Sequence, residues 1–252
     1  MVRPKKRYGQ HFLRDENIAR KIIASLSPGA VNIIEIGPGT GILTKYLLRK
    51  KEAHLLFFEI DPESVEFLEK NYPEIRGKLL RADFLEADLS GFPPPFAVIG
   101  NFPYNISSQI LFRILENRDR ITEVVGMFQK EVAERIAAPP GSKTYWILSV
   151  LVQAFYGIEY LFTVPEKVFF PPPKVRSAVI RLTRNNTLHL DCDEGLFFTI
   201  VKTAFNQRRK TLRNALKNIR PSLEKTGPNL ASKRAEQLSV EDFARIARMT
   251  GP

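Results

Sequence analysis

Among its 252 residues the chain has a single cysteine, Cys192, which excludes an internal disulfide framework and a multi-cysteine metal cluster. That suits a reducing compartment, and Cys192 itself reads as structural. Long hydrophobic runs are missing too. No stretch of about 18 uncharged apolar residues exists, and the opening Met1-Val2-Arg3-Pro4-Lys5-Lys6-Arg7 lacks the apolar segment of a secretory signal. A soluble, cytoplasmic protein without membrane attachment is therefore expected. Histidine is scarce: His11, His54 and His189 have no metal-ligand spacing, so no metal is expected. Neither a Gly-x-Ser-x-Gly nucleophile turn nor a Walker-type phosphate loop occurs, which leaves hydrolase and nucleoside-triphosphatase readings without residues.

Acidic residues are outnumbered, 27 against 38 Lys and Arg, for a net charge of +11. Such a balance points to a polyanionic partner, because Lys and Arg gain by releasing the counterions condensed on it. Two regions concentrate the charge. Arg3, Lys5, Lys6, Arg7 and Arg14 all precede the first acidic residue, Asp15. Arg208, Arg209 and Lys210 continue into Arg213, Lys217 and Arg220. In the latter run Arg209, Arg213, Lys217 and Arg220 recur at helical spacing, with Leu212, Leu216 and Ile219 on another face. This predicts an amphipathic helix over 207–220 whose basic side lies along a phosphate backbone without reading sequence. A merely solvated helix face is the plainer alternative.

With 44% apolar and 10% aromatic residues, the chain can bury a core as one large domain, alone or with a small appendage. Short β-favouring runs at 31–36, 54–60, 78–81, 96–99 and 124–128 alternate with helical-looking segments such as 62–69, 106–115 and 146–154. That alternation is the α/β signature, with a mostly parallel sheet. Runs at 156–164 and 177–183, joined by the stiff Phe169-Phe170-Pro171-Pro172-Pro173, predict a hairpin-like antiparallel end to the sheet. Beyond Asn185-Asn186 the pattern is helix and turn (196–205, 210–219, 240–249). The expected division is a catalytic domain over 1–185 and a small helical domain over 186–252.

The strand at 31–36 runs into Glu35-Ile36-Gly37-Pro38-Gly39-Thr40-Gly41. A dinucleotide fingerprint would carry its third glycine at 42, which is Ile, so pyrophosphate binding is disfavoured. Gly-x-Gly-x-Gly at a strand-to-helix turn instead resembles the first motif of S-adenosylmethionine-dependent methyltransferases. The next strand ends Phe57-Phe58-Glu59-Ile60-Asp61, about twenty residues on, where a carboxylate can accept both ribose hydroxyls. Glu59 is preferred over Asp61, which precedes Pro62 and suits a helix cap. The third strand ends at Asp83-Phe84, offering an acceptor for an adenine amine and a flanking ring.

The fourth strand ends Asn101-Phe102-Pro103-Tyr104. Such a string arises often by chance; its position after a glycine turn and two acidic strand ends is the informative part. An adenine amine is a poor nucleophile, because its lone pair is delocalised into the ring. The Asn101 side-chain oxygen and the Phe102 carbonyl can accept its two hydrogens, Pro103 can stiffen the turn, and Tyr104 can stack on the extruded base. No strong base is needed, since the proton can leave after transfer.

Taken together these motifs resemble the ribosomal RNA adenine dimethyltransferase family, most closely its bacterial small-subunit branch, over nearly the whole chain. The resemblance implies a class I methyltransferase sheet with a small helical C-terminal domain. It also implies S-adenosylmethionine as methyl donor, S-adenosylhomocysteine as product, and dimethylation of two neighbouring adenosines near the 3′ end of small-subunit rRNA during ribosome biogenesis. Tyr8-Gly9-Gln10-His11-Phe12-Leu13 is similar to the family's N-terminal motif, which assigns His11 and Leu13 to the cofactor with Gly37, Gly39, Glu59, Asp83, Phe84 and Asn101. A surface-helix lead-in is the alternative for 10–13. Phe169 to Ser177 is similar to the late motif, whose first aromatic, here Phe169, closes over the target base. Ala204 to Leu212 looks like the C-terminal signature, implying that Arg208, Arg209, Lys210, Arg213 and Lys217, with Arg3, Lys5, Lys6 and Arg7, dock rRNA in an assembling small subunit. Phe102 departs from the family's usual leucine. A monomer is expected. The rivals are a large-subunit rRNA methyltransferase with the same catalytic motifs and an RNA-binding assembly factor without catalysis.

Overall fold

The computed structural model describes residues 2–219 and 228–250. Among the described residues nine strands are present: β1 (Phe12–Leu13), β2 (Asn32–Ile36), β3 (His54–Phe58), β4 (Leu79–Leu80), β5 (Phe96–Asn101), β6 (Ile121–Gln129), β7 (Tyr156–Val164), β8 (Phe169–Phe170) and β9 (Ser177–Arg184). Seven of them form one sheet in the order β4-β3-β2-β5-β6-β9-β7. Parallel pairing joins β4 to β6, whereas β9 runs antiparallel to β6, with Gly126 opposite Ile180. The five expected parallel strands and the antiparallel end are thus all present. Interior strands are buried along nearly their whole length and mostly apolar, as a sheet covered on both faces requires: β2 and β5 each bury all but one residue.

The helices, in chain order, are α1 (Glu16–Ala24), α2 (Thr44–Leu47), α3 (Pro62–Asn71), α4 (Ser107–Glu116), α5 (Lys130–Ala137), α6 (Ile147–Gln153), α7 (Glu194–Asn206), α8 (Leu212–Ala215), α9 (Pro228–Ala231) and α10 (Val240–Thr250). Local chemistry starts several of them. Asp15, Asp61 and Asp193 sit at N-caps and accept from first-turn amides, and Pro62 occupies the first turn of α3. The α1 and α5 helices and the short β1–β8 ribbon are not among the sequence expectations. Phe12 pairs with Phe170 and Leu13 with Phe169, so 10–13 is an extended segment rather than a helix lead-in.

By proximity the chain divides into two compact units, one of residues up to Ala133 with Ile158–Arg184, the other of Glu134–Gly157 with the residues from Asn185 on. The segment Glu134–Gly157 therefore belongs with the C-terminal helices, although it lies before residue 185 in the chain. Its Tyr145 and Trp146 rings stand 6.0 and 5.6 Å from Phe205 of α7, which in turn faces Phe243 of α10 at 6.0 Å. Aromatic packing between residues 38 to 60 positions apart sets this grouping, and a linear boundary cannot express it.

The amphipathic helix expected over 207–220 is corrected. Regular helix is confined to α8, one turn long. The Leu212 amide donates to the Lys233 carbonyl at 2.8 Å instead of continuing a helical ladder, and the Lys210 amide closes a turn onto Gln207. Face segregation survives without the helix: Leu212 and Leu216 are buried, while Arg209, Arg213 and Lys217 are exposed. Arg220 lies outside the described residues.

Candidate active site

The sheet order reverses around β2, whose neighbours β3 and β5 carry the chain to opposite sides. At such a switch point the loops after adjacent strands diverge and leave a crevice at their C-terminal ends. Here it is a cavity of about 260 Å³ that includes Gly37, Gly39, Glu59, Asp83, Phe84, Asn101, Phe102, Pro103, Tyr104 and His11 in its wall.

The glycine turn supplies bare backbone. Gly37 and Gly39 have φ of 65° and 58°, which side chains rarely adopt. A Cβ on Gly37 would meet nothing within 4 Å, so that side is open cavity, whereas one on Gly39 would lie 2.8 Å from the Phe12 ring. Gly39 donates its amide to the Glu59 carboxylate at 3.0 Å, and the Asp61 amide donates to the other oxygen at 2.9 Å. Glu59 is only 4% exposed. Burial pushes its pKa up, against the pull of those backbone donors. Each oxygen keeps a lone pair for a ligand hydroxyl.

Asp61 has a different task. It accepts from Lys5 Nζ at 2.5 Å, from Gln10 Nε2 at 3.0 Å and from the Glu63 amide at 3.2 Å, capping α3 and tethering the N-terminal segment. Asp83 accepts the Leu85 amide at 2.9 Å through one oxygen. Phe84 is buried edge-on against Phe58, with ring centroids 5.6 Å apart. Ile60 also lines the cavity and is 43% exposed, a large apolar side chain that sequence reading passed over. Its signal was its place directly after Glu59.

At the end of β5 the Asn101 Nδ2 donates to the His11 carbonyl at 2.8 Å, which fixes the amide and leaves Oδ1 as its acceptor. The His11 ring stacks on Tyr104 at 5.3 Å and 28°, and its Nδ1 lies 2.7 Å from the Pro171 carbonyl. Tyr104 Oη lies 2.6 Å from Ser177 Oγ, a fully buried hydroxyl at the start of β9. Burial raises the Tyr104 pKa, and the hydrogen bond with Ser177 holds the ring in place. Ser177 is a positioning residue that the sequence reading used only to mark the end of a motif. The Phe102 ring, 1% exposed, turns beneath the sheet against Phe128. It occupies space that Gly100 and Gly126, opposite one another on β5 and β6, leave free: a Cβ on either would come within 2.8 Å of that ring. An aromatic in place of leucine is thus accommodated under the cavity floor.

Two assigned residues are placed elsewhere. Leu13 and Phe169, each 3% exposed, pack in the hydrophobic core with Val164 and Val179 and are absent from the cavity wall. The cause is pairing parity: β1 and β8 put Leu13 and Phe169 on one face and Phe12 and Phe170 on the other. A core aromatic describes Phe169 in this structure better than a ring over the target base. Lys5 is committed to Asp61 and Glu63, while Arg3, Lys6 and Arg7 are exposed. In the other unit Arg208 pairs with Glu236 at 3.5 Å and lies over Trp146, whereas Arg209, Arg213 and Lys217 are exposed and Lys210, also exposed, donates to Gln207 Oε1 at 2.9 Å.

Glu35 is an ionisable group that the sequence reading left without a role. It is 1% exposed, accepts from Thr44 Oγ1 at 2.8 Å, and burial pushes its pKa up to about 8. Its neutral form is favoured at pH 7, and Glu59, not Glu35, is the buried acidic side chain on the cavity wall. Among the described residues no group of three or more His, Cys, Asp or Glu could hold a metal ion, and no helix is long and apolar enough to cross a membrane.

Residues 1–250 match the family model described as ribosomal RNA adenine dimethylase. The chain belongs to the ribosomal RNA adenine dimethylase family. A relative from Cytophaga hutchinsonii, named ribosomal RNA small subunit methyltransferase A, is 56% identical over 98% of this chain and 97% of its own length. One of the same name from Flavobacterium johnsoniae is 58% identical over 96% and 94%. Among solved structures, a dimethyladenosine transferase from Plasmodium falciparum is similar with a TM-score of 0.77 and 26% identity, covering 94% of this chain and 96% of its own. The 23S rRNA methyltransferase ErmE is similar with a TM-score of 0.68, also at 26% identity, covering 94% and 99%. With this membership the chain is an rRNA adenine methyltransferase, built on the class I sheet that the strand order describes.

Proposed function

We propose that this chain dimethylates the N6 amines of two adjacent adenosines near the 3′ end of small-subunit rRNA, with the crevice at the ends of β2 to β5 holding S-adenosylmethionine. The observation that carries this reading is the Asn101 amide, locked by the His11 carbonyl with its oxygen left to accept, beside a Tyr104 ring locked by Ser177. The wall fits the cofactor: bare glycine backbone at Gly37 and Gly39, a buried carboxylate at Glu59 for ribose hydroxyls, and Asp83 beside Ile60 for a base. When bound, the cofactor supplies an electrophilic methyl group on a sulfonium.

Everything else falls to the chain. Asn101 Oδ1 and the Phe102 carbonyl accept the two amine hydrogens, favouring a pyramidal nitrogen whose lone pair faces the methyl group. Tyr104 stacks on the flipped base, a contact worth about 1–3 kcal/mol. Because the methylated ammonium is highly acidic, no general base has to be held ready. The first unit carries this chemistry; Arg209, Lys210, Arg213 and Lys217 of the second, with Arg3, Lys6 and Arg7, supply phosphate contacts. A cytoplasmic monomer acting on an assembling small subunit goes with this reading.

Incubation with labelled S-adenosylmethionine and either unmethylated small-subunit particles or large-subunit rRNA, followed by nucleoside analysis, tests it. Label in N6,N6-dimethyladenosine of the small subunit is expected. Label confined to large-subunit rRNA, or binding without transfer, overturns it.

A further inference from the structure

Phe170 is 40% exposed, although it adjoins the fully committed Phe169. Its Cα partner across the β1–β8 ribbon is Phe12, which lines the cavity. Residues directly opposite in an antiparallel pair present their side chains on the same face. Phe170 therefore stands on the cavity side of the ribbon but outside the cavity wall, one residue before the Pro171 carbonyl that holds His11 at 2.7 Å. Over its ring lies the Arg14 guanidinium, 4.1 Å from the centroid. Arg14 is exposed, is fixed at its backbone by a 2.8 Å bond to the Val168 carbonyl, and pairs with no carboxylate among the described residues.

An exposed aromatic ring carrying an unneutralised planar cation is the combination that receives an unstacked nucleobase and its phosphate. We propose that Phe170 and Arg14 form a shelf beside the cavity mouth for the base next to the target adenine, holding it out of its own stack while its neighbour is flipped. This rests on the adenine-N6 reading of the cavity and adds an RNA-contacting site to it. In a substrate of two adjacent adenosines the shelf takes whichever adenine is not in the cavity, so one surface serves both methylation rounds.

Steady-state kinetics on unmethylated small-subunit particles test this, with cofactor affinity measured in parallel. Phe170→Ala is expected to raise KM for the particle about tenfold, leaving cofactor affinity and the turnover of bound particles unchanged. Phe170→Trp should restore the wild-type KM, because an aromatic face is what the base needs, whereas Phe170→Leu should not. An unchanged KM in Phe170→Ala, a wild-type KM in Phe170→Leu, or a parallel loss of cofactor affinity would each overturn the shelf. A wild-type enzyme that fails to methylate the particle would instead overturn the adenine reading on which the shelf stands.

Discussion

The cavity wall and the basic stretch around α8 both announce themselves in the sequence, yet they are built on opposite principles. In the wall these polar side chains have fixed partners: Glu59 with the Gly39 and Asp61 amides, Asn101 with the His11 carbonyl, Tyr104 with Ser177. Around α8 the charges at Arg209, Arg213 and Lys217 stand in solvent, and only the leucines between them are fixed. Preorganised groups act individually and fail individually. Solvated charges act as a sum, so removing one costs little and salt can replace them.

If that contrast is right, the largest effect belongs to Asn101→Ala, which should lower kcat on small-subunit particles at least a hundredfold with unchanged thermal unfolding; near wild-type turnover would break the contrast at its strong end. Glu59→Gln comes next. Loss of a charge-assisted acceptor should weaken S-adenosylmethionine about tenfold or more in calorimetry, while particle binding at saturating cofactor stays intact. Replacing Arg209, Arg213 and Lys217 together with alanine should flatten the log–log salt dependence of RNA binding by about two units, with cofactor affinity untouched. An unchanged slope would show that these charges do not meet phosphate.

Glu35, buried behind the wall, sharpens the comparison, since burial outweighs the Thr44 hydroxyl that donates to it and favours the neutral acid. Its folded pKa of about 8 lies above its ordinary value of 4.5, so the unfolded chain releases the proton first as pH rises. The stability it contributes is complete below about pH 4.5 and is lost progressively up to about pH 8. Denaturant unfolding across that window should show a decline in the wild type that Glu35→Gln lacks. The smallest effect is expected of Lys5→Ala: a slight loss of cofactor affinity as the N-terminal segment loosens from Asp61, and no change in the salt slope of RNA binding.

Much of the site was legible because the signals are local. Glycine at 37 and 39, an acidic residue closing the apolar run at 57–58, and Pro103 after Asn101 each describe a strand end from a handful of neighbouring residues. The α/β class and the mostly parallel sheet needed only the alternation of apolar runs and helical segments, whereas the spatial order of the strands came from the fold. Less legible was the length of helix at α8, since spacing alone cannot show that the Leu212 amide turns to Lys233. Nor could spacing show that Lys5, in a run of identical charges, is taken by Asp61 across 56 residues.

The two phenylalanines mark the limit most clearly. By itself the sequence determined the chemistry at the strand ends, the α/β sheet and the excess of positive charge, because these follow from residue type and short-range periodicity. Only the tertiary structure decided which of Phe169 and Phe170 enters the core and which faces the cavity side. A two-residue strand has no period of its own to read, and its facing is set by the partner it pairs with, more than 150 residues earlier in the chain.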